Sequence, residues 1–416
     1  MSLRILFFNH VETLEGGAER SLIDLLENLP KEKFEPFVVT PGEGDFSHAC
    51  KKRGIKCDFH PSVWWVTNTN LDAWLYGMRR LPEAVEKIRQ IIREKNIDVV
   101  HTNSSVAPAA AFAAALENKP HVWHVREFLS HEDLGLTAGP VSPDNLKDLI
   151  LAMSSRVIVI SQALAKEYMI NENNEKKIIT IPDGIDYRKF ENCNKSKENI
   201  VLSIGATSAA KGLEDLIETA KIIHAKRKDV QFCVIGHVYP SRYKTGIQNK
   251  LREKGLSGHV YLLGYQEDVV PYMSRAKVFC LPSRSEGMSR VILEAMAAGL
   301  PVVSTDSGGP RDIVVDGQTG FLSPVGDPEM MADNLFKILS DDHLAEQMGN
   351  YGKVRARENF DLRKSSAQTF KVISDASNEN QPKNISGLCE FLLTYIQEAG
   401  PRVLLGKKWA VMKPFI

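Results

Sequence analysis

The sequence predicts an α/β protein built as two domains of similar size, each a parallel sheet with helices on both faces. Three observations predict it. Short apolar runs alternate with helical patterns along most of the chain. The runs are near-continuously apolar, as strands buried on both faces are, whereas half-solvated strands would alternate. The alternation also stops at a polar stretch and then starts again.

The first strand is expected over 4–9, RILFFN, and leads into a helix over 18–29. Strands follow over 37–40, 99–101, 122–125, 157–160 and 178–181, with a helix over 81–94. Residues 187–199, YRKFENCNKSKEN, are polar, charged and without apolar periodicity, as a linker is. The second series has strands over 200–204, 232–235, 260–263, 278–281 and 302–304. Its helices are expected over 212–226, 289–298 and 329–339. The expected division is therefore an N-terminal domain 1–186, a linker 187–199 and a C-terminal domain 200–376. An extension follows over 377–416, with a polar loop and then a short amphipathic helix over 388–396. It is read as able to return to the N-terminal domain. Ligands of such sheets bind at the carboxyl ends of the strands, so two such domains facing each other would enclose a cleft.

The chain has 416 residues, 43% hydrophobic and 25% charged, enough apolar content for a sizeable core. Lys+Arg and Asp+Glu are both 52, a net charge of zero that argues against a general nucleic-acid binder. The balance is uneven along the chain. Through Asp186 there are 21 Lys+Arg against 26 Asp+Glu, and the remainder holds 31 against 26. The C-terminal half thus carries the positive field that an anionic ligand prefers. The six cysteines form no CxxC pair, so neither a zinc ribbon nor a thioredoxin-type site is suggested. No signal peptide is read at the start, and 106–116, Ala-rich, is far short of the ~20 residues of a membrane span. The expected location is the cytoplasm.

Several phosphate signatures are missing. There is no GxGxxG and no GK[ST], and no two aspartates stand one residue apart to hold a metal against a diphosphate. Charge on a bound phosphate would have to be met by side chains and helix ends. Two helix mouths qualify. Gly16-Gly17 precede a helix expected from Ala18, although a turn with no ligand explains two glycines equally well. The segment 282–320, PSRSEGMSRVILEAMAAGLPVVSTDSGGPRDIVVDGQTG, reads loop, helix, strand, loop and helix. Glu286 closes its first loop and Glu294 lies in the following helix. Eight residues of helix would separate the two by ~12 Å, too far to flank one bond but suited to two parts of an elongated ligand. Glu286 would meet a sugar, Glu294 a ribose, and the N–H groups of Met288 and Ser289 the group between. The plain alternative is an amphipathic helix with two solvated glutamates. Gly308-Gly309-Pro310 and DGQTGFL at close range weigh against it.

These residues carry a resemblance. The spacing of Glu286 and Glu294 with LEAMAAGLPVVSTDSGG resembles the donor-site signature of retaining glycosyltransferases of family 4, glycosyl transferases group 1. EGGAER at 15–20 is similar to the family's N-terminal glycine loop, and IPDGID at 181–186 to its hinge segment. IGATSAAKGLEDLIET at 204–219 is similar to its phosphate motif, and HVWHVRE at 121–127 to the segment with its active-site histidine, which matches His124. The resemblance implies the GT-B fold: two Rossmann-like α/β/α domains facing across an interdomain cleft, the first on the acceptor side and the second holding the nucleotide sugar. It implies catalytic roles for His124, Glu286 and Lys211. It implies donor contacts from Gly16, Gly17, Gly205, Lys211, Gly287, Met288, Ser289, Arg290 and Glu294. The family needs no metal or cofactor beyond its nucleotide-diphosphate sugar. It transfers the sugar with retention of configuration to a glycan or lipid-linked glycan, as in cell-surface polysaccharide biosynthesis.

Three positions depart from the pattern, the first being Asp183 of the hinge segment, where Asn is usual. Ala206 stands where the family has a diphosphate-binding Arg, which leaves Lys211 of that pair and makes Arg290 a substitute cation. Ser289 follows EGM where Gly is frequent. Two other classes share the architecture: a sugar-nucleotide epimerase, and a non-catalytic nucleotide-sugar-binding relative. On the acceptor side, 61–80 holds Trp64, Trp65, Trp74, Tyr76, Arg79 and Arg80. Aromatics beside cations suit peripheral contact with the inner face of a membrane or a sugar platform, and equally a loop packed on its own domain. Lys407-Lys408-Trp409 near the end repeats the idea more weakly.

Overall fold

The structure, a computed structural model, describes residues 2–67, 71–129, 137–138, 142–169, 172–193, 197–205, 209–237, 241–379 and 385–399. Internal contacts divide the chain into two compact units. One is Met1–Pro182 together with the described residues from Arg363 on, and the other is Asp183–Leu362. Residues 187–199, expected as the linker, thus fall inside the second unit, and Tyr187–Phe190 is a turn of 3-10 helix.

The strands of the first unit are β1 (Leu3–Phe8), β2 (Phe34–Thr40), β3 (Cys57–Phe59), β4 (Val66–Thr67), β5 (Val99–Asn103), β6 (His121–Val125), β7 (Thr137–Ala138), β8 (Arg156–Val159) and β9 (Ile178–Thr180). Seven of them make a parallel sheet in the order β3-β2-β1-β5-β6-β8-β9, and β4 pairs antiparallel with β7. The apolar run of β1 is why it lies near the centre: Ile5, Leu6, Phe7 and Phe8 are fully buried. The short β3 is half-exposed at the edge, and its Cys-Asp-Phe carries no apolar signal. The helix Ala109–Leu116 is buried from Ala109 through Ala115. A helix apolar all round has to be covered all round. Here the helices Leu81–Glu94 and Ile385–Ala399 and strand β5 cover it. The helix Ile385–Ala399 therefore packs within the first unit. The helix Leu362–Ser377 also contributes Phe370 and Ile373 to the core around Ile5, Phe7 and Leu26, with Phe370 stacked on Phe34.

The second unit has β10 (Ile200–Ile204), β11 (Gln231–Ile235), β12 (Val260–Gly264), β13 (Val278–Leu281), β14 (Val302–Thr305) and β15 (Gly320–Ser323). They form one parallel sheet in the order β12-β11-β10-β13-β14-β15. Val201, Leu216, Phe232, Val278, Val303 and Leu335 are among its core residues. In both sheets the strand order reverses beside the first strand, between β1 and β5 and between β10 and β13. At such a switch point the connections leave in opposite directions and open a crevice at the carboxyl ends. The polar residues of interest stand at these two places.

Candidate functional site

In the second unit three loops meet above the switch point. Backbone hydrogen bonds tie them together. Arg284 N–H donates to Ala210 O at 2.9 Å, Glu286 N–H to Ser307 O at 3.0 Å, and Gly309 N–H to Glu286 O at 2.7 Å. Thr305 Oγ1 donates to Ser283 O. The loop carrying Glu286 is thus pinned on both sides before any ligand arrives. Its carboxylate Oε1 accepts from Lys211 Nζ at 2.6 Å and from Ser283 Oγ at 2.7 Å. The Glu286 side chain is 9% exposed and that of Lys211 34%, so the pair is shielded on the carboxylate side and open on the ammonium side. Arg284 pairs with Asp215 through two 3.0 Å contacts. Lys211, Gly205, Ser203, Leu281 and Pro282 line a small pocket at the end of β10.

The expected helix after this loop begins at Arg290 and runs to Ala297. The ~12 Å separation of Glu286 from Glu294 assumed helix throughout, and this assumption does not hold. Residue 286 instead makes a β-bridge with Gly308, and only the second half of the spacing is helical. Glu294 is half-buried. Ser289, 3% exposed, is the extended N-cap residue and its side chain caps nothing. Met288 Sδ accepts Asp183 N–H at 3.2 Å, and Arg290 donates to Gly184 O at 3.3 Å. Both side chains therefore hold the segment that opens the second unit. Arg290, expected as a substitute phosphate cation, has this structural bond to maintain.

In the first unit the helix begins at Gly17, with Gly16 as an extended N-cap. A Cβ at Gly16 would lie 2.2 Å from Glu19 Oε2. The Glu19 carboxylate, 4% exposed, thus closes back over its own helix mouth, with His10 Nε2 3.5 Å from it. His124 lies in β6 and is 3% exposed. Its Nδ1 faces His101 Nε2 at 3.3 Å and an Arg126 guanidinium nitrogen at 3.5 Å, while its buried Nε2 has no hydrogen-bond partner among the described residues. Burial, with Arg126 and His101 adding, holds His124 well below the usual histidine range, so the ring is neutral. Burial likewise depresses His101 and His121 to about 3. Arg126 Nε donates to Asn103 Oδ1 at 2.7 Å, and Asn103 Nδ2 to Asn9 Oδ1 and to Ala18 O, both at 3.2 Å. This network joins the ends of β1, β5 and β6 to the glycine-started helix. Sequence reasoning missed Asn9, His101, Asn103 and Arg126. Their one signal was polarity at or near the carboxyl ends of the strands.

The aromatic stretch 61–80 divides. Trp65 and Trp74 are 3% and 2% exposed and donate their indole N–H groups to Ser105 O and Trp65 O. Trp65 also stacks on Trp123. These two Trp rings are core, which removes them from any membrane-facing surface. Tyr76 is 70% exposed, and Arg79 and Arg80 are exposed beside it. Among the described residues no helix is long and apolar enough to cross a membrane. Ala206 and the tail with Lys407, Lys408 and Trp409 lie outside the described residues.

Comparison with known proteins agrees with this layout. Residues 15–189 match the model of Glycosyltransferase Family 4, and residues 186–355 that of Glycosyl transferases group 1. The chain is 28% identical to the capsular polysaccharide biosynthesis glycosyltransferase CapM of Staphylococcus aureus, over 52% of this chain and 60% of that one. It is 28% identical to a phosphatidyl-myo-inositol mannosyltransferase of Mycolicibacterium smegmatis, over 74% of this chain and 78% of that one. In structure it is similar to Anabaena HepE, solved in complex with UDP-glucose. The TM-score is 0.74 with 21% identity, over 90% of this chain and 100% of that one. The two family models adjoin to span nearly all of both sheets, and the chain belongs to glycosyltransferase family 4, group 1, with the GT-B fold.

Proposed function

We propose that the chain transfers a sugar from a nucleotide-diphosphate sugar, without a metal and with retention of configuration, to a glycan or lipid-linked glycan of a cell-surface polymer. The observation that carries the reading is the cluster of Lys211, Glu286 and Ser283 at the carboxyl ends of the second sheet. An ammonium has three protons and Glu286 takes one. The others, on the open side of Lys211, are available to a diphosphate oxygen as charge builds on it. Glu286 in turn accepts hydrogen bonds from donor-sugar hydroxyls, and Glu294 from the ribose. In the transfer, the bond from the sugar carbon to the phosphate oxygen breaks. The acceptor oxygen bonds to the same carbon on the same face, and its proton passes to the departing phosphate oxygen. His124, neutral at working pH, serves as a hydrogen-bonding group to the sugar. The names of CapM and of the inositol mannosyltransferase support a polysaccharide or glycolipid product, and that of the HepE complex supports a UDP-sugar.

The test begins with thermal shifts by UDP, GDP and ADP and their sugars, with and without magnesium. At about 100 Kd the right nucleotide stabilises by ~2.7 kcal/mol. A shift for one base that magnesium does not alter supports the donor reading, and Glu294→Ala should abolish it. Acceptor-dependent release of nucleoside diphosphate, with the product anomer read by NMR, then completes the test. Release without any acceptor would point to an epimerase, and binding without release to a non-catalytic relative.

A further inference from the structure

A neutral imidazole carries its proton on one nitrogen only, and its neighbours decide which. Both neighbours of His124 Nδ1 bear on the choice. A guanidinium has donors and no acceptor, and a nitrogen of Arg126 lies 3.5 Å from Nδ1. A proton on Nδ1 would therefore oppose an N–H of Arg126. His101 Nε2 lies 3.3 Å from the same atom, and the two rings meet edge to face at 87°. With Nδ1 of His124 bare, His101 donates to it from Nε2, and both contacts are satisfied together. Neither neighbour is loose. Arg126 is fixed through Asn103 to Asn9 and Ala18, and the His101 ring packs on Phe7. The proton of His124 then stands on Nε2, the buried atom that has no partner among the described residues. A desolvated donor of this kind is satisfied only by an incoming acceptor.

We propose that His101 and Arg126 are positioning residues that hold His124 as its Nε2–H tautomer, so that it meets an oxygen of the sugar nucleotide as a hydrogen-bond donor and not as a base. The proposal rests on the reading of His124 given under Proposed function, and deepens it.

The test is done on the full chain, uniformly labelled with 15N, by correlating the ring nitrogens of His124 with its carbon-bound protons at neutral pH. The expected pattern is a bare Nδ1 and a protonated Nε2. His101→Phe removes the donor but keeps a ring in the space, and should shift His124 toward a mixture of tautomers. His101→Gln restores an amide N–H and should bring the Nε2–H form back. In nucleotide-sugar turnover, His101→Phe should lower kcat about fivefold, the factor one net hydrogen bond is worth, with KM little changed. His101→Gln should recover most of this. A wild-type His124 protonated on Nδ1 overturns the proposal. So does a His101→Phe variant that keeps both the Nε2–H form and its kcat. The spectrum needs no turnover, so the two readings can fail separately. If the tautomers respond as expected but His124→Ala turns over normally, the positioning stands and the substrate role of His124 falls.

Discussion

The pairing of Lys211 with Glu286 predicts a measurable non-additivity. Three variants are needed: Lys211→Met, Glu286→Gln and the double. Removing the ammonium leaves a carboxylate that is 9% exposed with Ser283 as its remaining partner among the described residues. Stripping one partner from a fully buried pair costs about 3–5 kcal/mol. Lys211 is 34% exposed and its charge is partly screened, so about 2–3 kcal/mol is the proper expectation. Glu286→Gln keeps an oxygen for the Ser283 hydroxyl and leaves only a half-exposed lysine unpaired, costing about 1 kcal/mol. In the double variant no charge is stranded. Its cost should fall short of the sum by about 1–2 kcal/mol, well beyond what sites without contact show. The assay is urea unfolding resolved by unit. All tryptophans lie outside residues 183–362, so fluorescence follows the first unit, and far-UV circular dichroism adds the second. Costs additive to within about 0.5 kcal/mol would mean that the pair does not exist in solution. The pinned Glu286 loop would then lose its electrostatic rationale.

Three further outcomes follow from the same geometry. Gly309→Ala would place a Cβ 2.3 Å from Gly287 O and 2.7 Å from the Met288 Cα, all backbone. It should cost about 2–4 kcal/mol in the second unit and abolish the nucleotide-induced thermal shift; a normal shift would show that the loop junction is not needed for binding. Leu392→Ala, at a site 2% exposed in the helix Ile385–Ala399, should cost about 2–5 kcal/mol in the fluorescence transition; an effect below about 1 kcal/mol would mean that this helix is not docked. Acid should weaken the first unit. Its unfolded histidines take up protons near 6.5, whereas folded His101 and His121 do so only near 3. Between these values the unfolded state binds more protons, so stability falls as pH is lowered, by up to about 1.4 kcal/mol per unit for each group, and is flat above about 6.5. Constant urea midpoints from about pH 6.5 to 4.5 would contradict the burial of these rings.

What could be read ahead of the structure was what repeats an apolar pattern. The strands β1, β10 and β13 lie centrally in their sheets and are apolar on both faces, so their positions came within a residue. The edge strands β3 and β15 are only partly buried and left no such trace. The helix Asp342–Asn359 was missed for another reason. Its inner face is made by Ala345, Met348, Gly349, Gly352 and Ala356, mostly small residues, and a Cβ at Gly349 would lie 2.2 Å from Gly299 O. A helix that approaches its neighbour so closely needs small residues, which no search for apolar periodicity finds. Of the site, Lys211 and Glu286 were legible because each sits in a local motif. Asn9, Asn103 and Arg126 were not, because their partnership depends on strand order. Asn103 stands opposite His124 only because β5 and β6 pair in that register.

The glycine pair at 16–17 stands at the mouth of the helix Gly17–Glu27. The sequence suggested that small residues there let a backbone approach a ligand. In the structure a nearer neighbour already bears on position 16. A side chain there would have to push aside the Glu19 carboxylate, the flexible end of a side chain that lies over the helix mouth beside His10. A carboxylate at a helix N-terminus is itself a favourable partner for the free N–H groups and the dipole. An anion that entered this mouth would first have to displace Glu19 or meet its charge. A neutral polyol would not, since its hydroxyls can donate to the carboxylate. The physics at this end of the first sheet therefore favours sugar hydroxyls over phosphate. At the end of the second sheet, the open side of Lys211 favours the reverse.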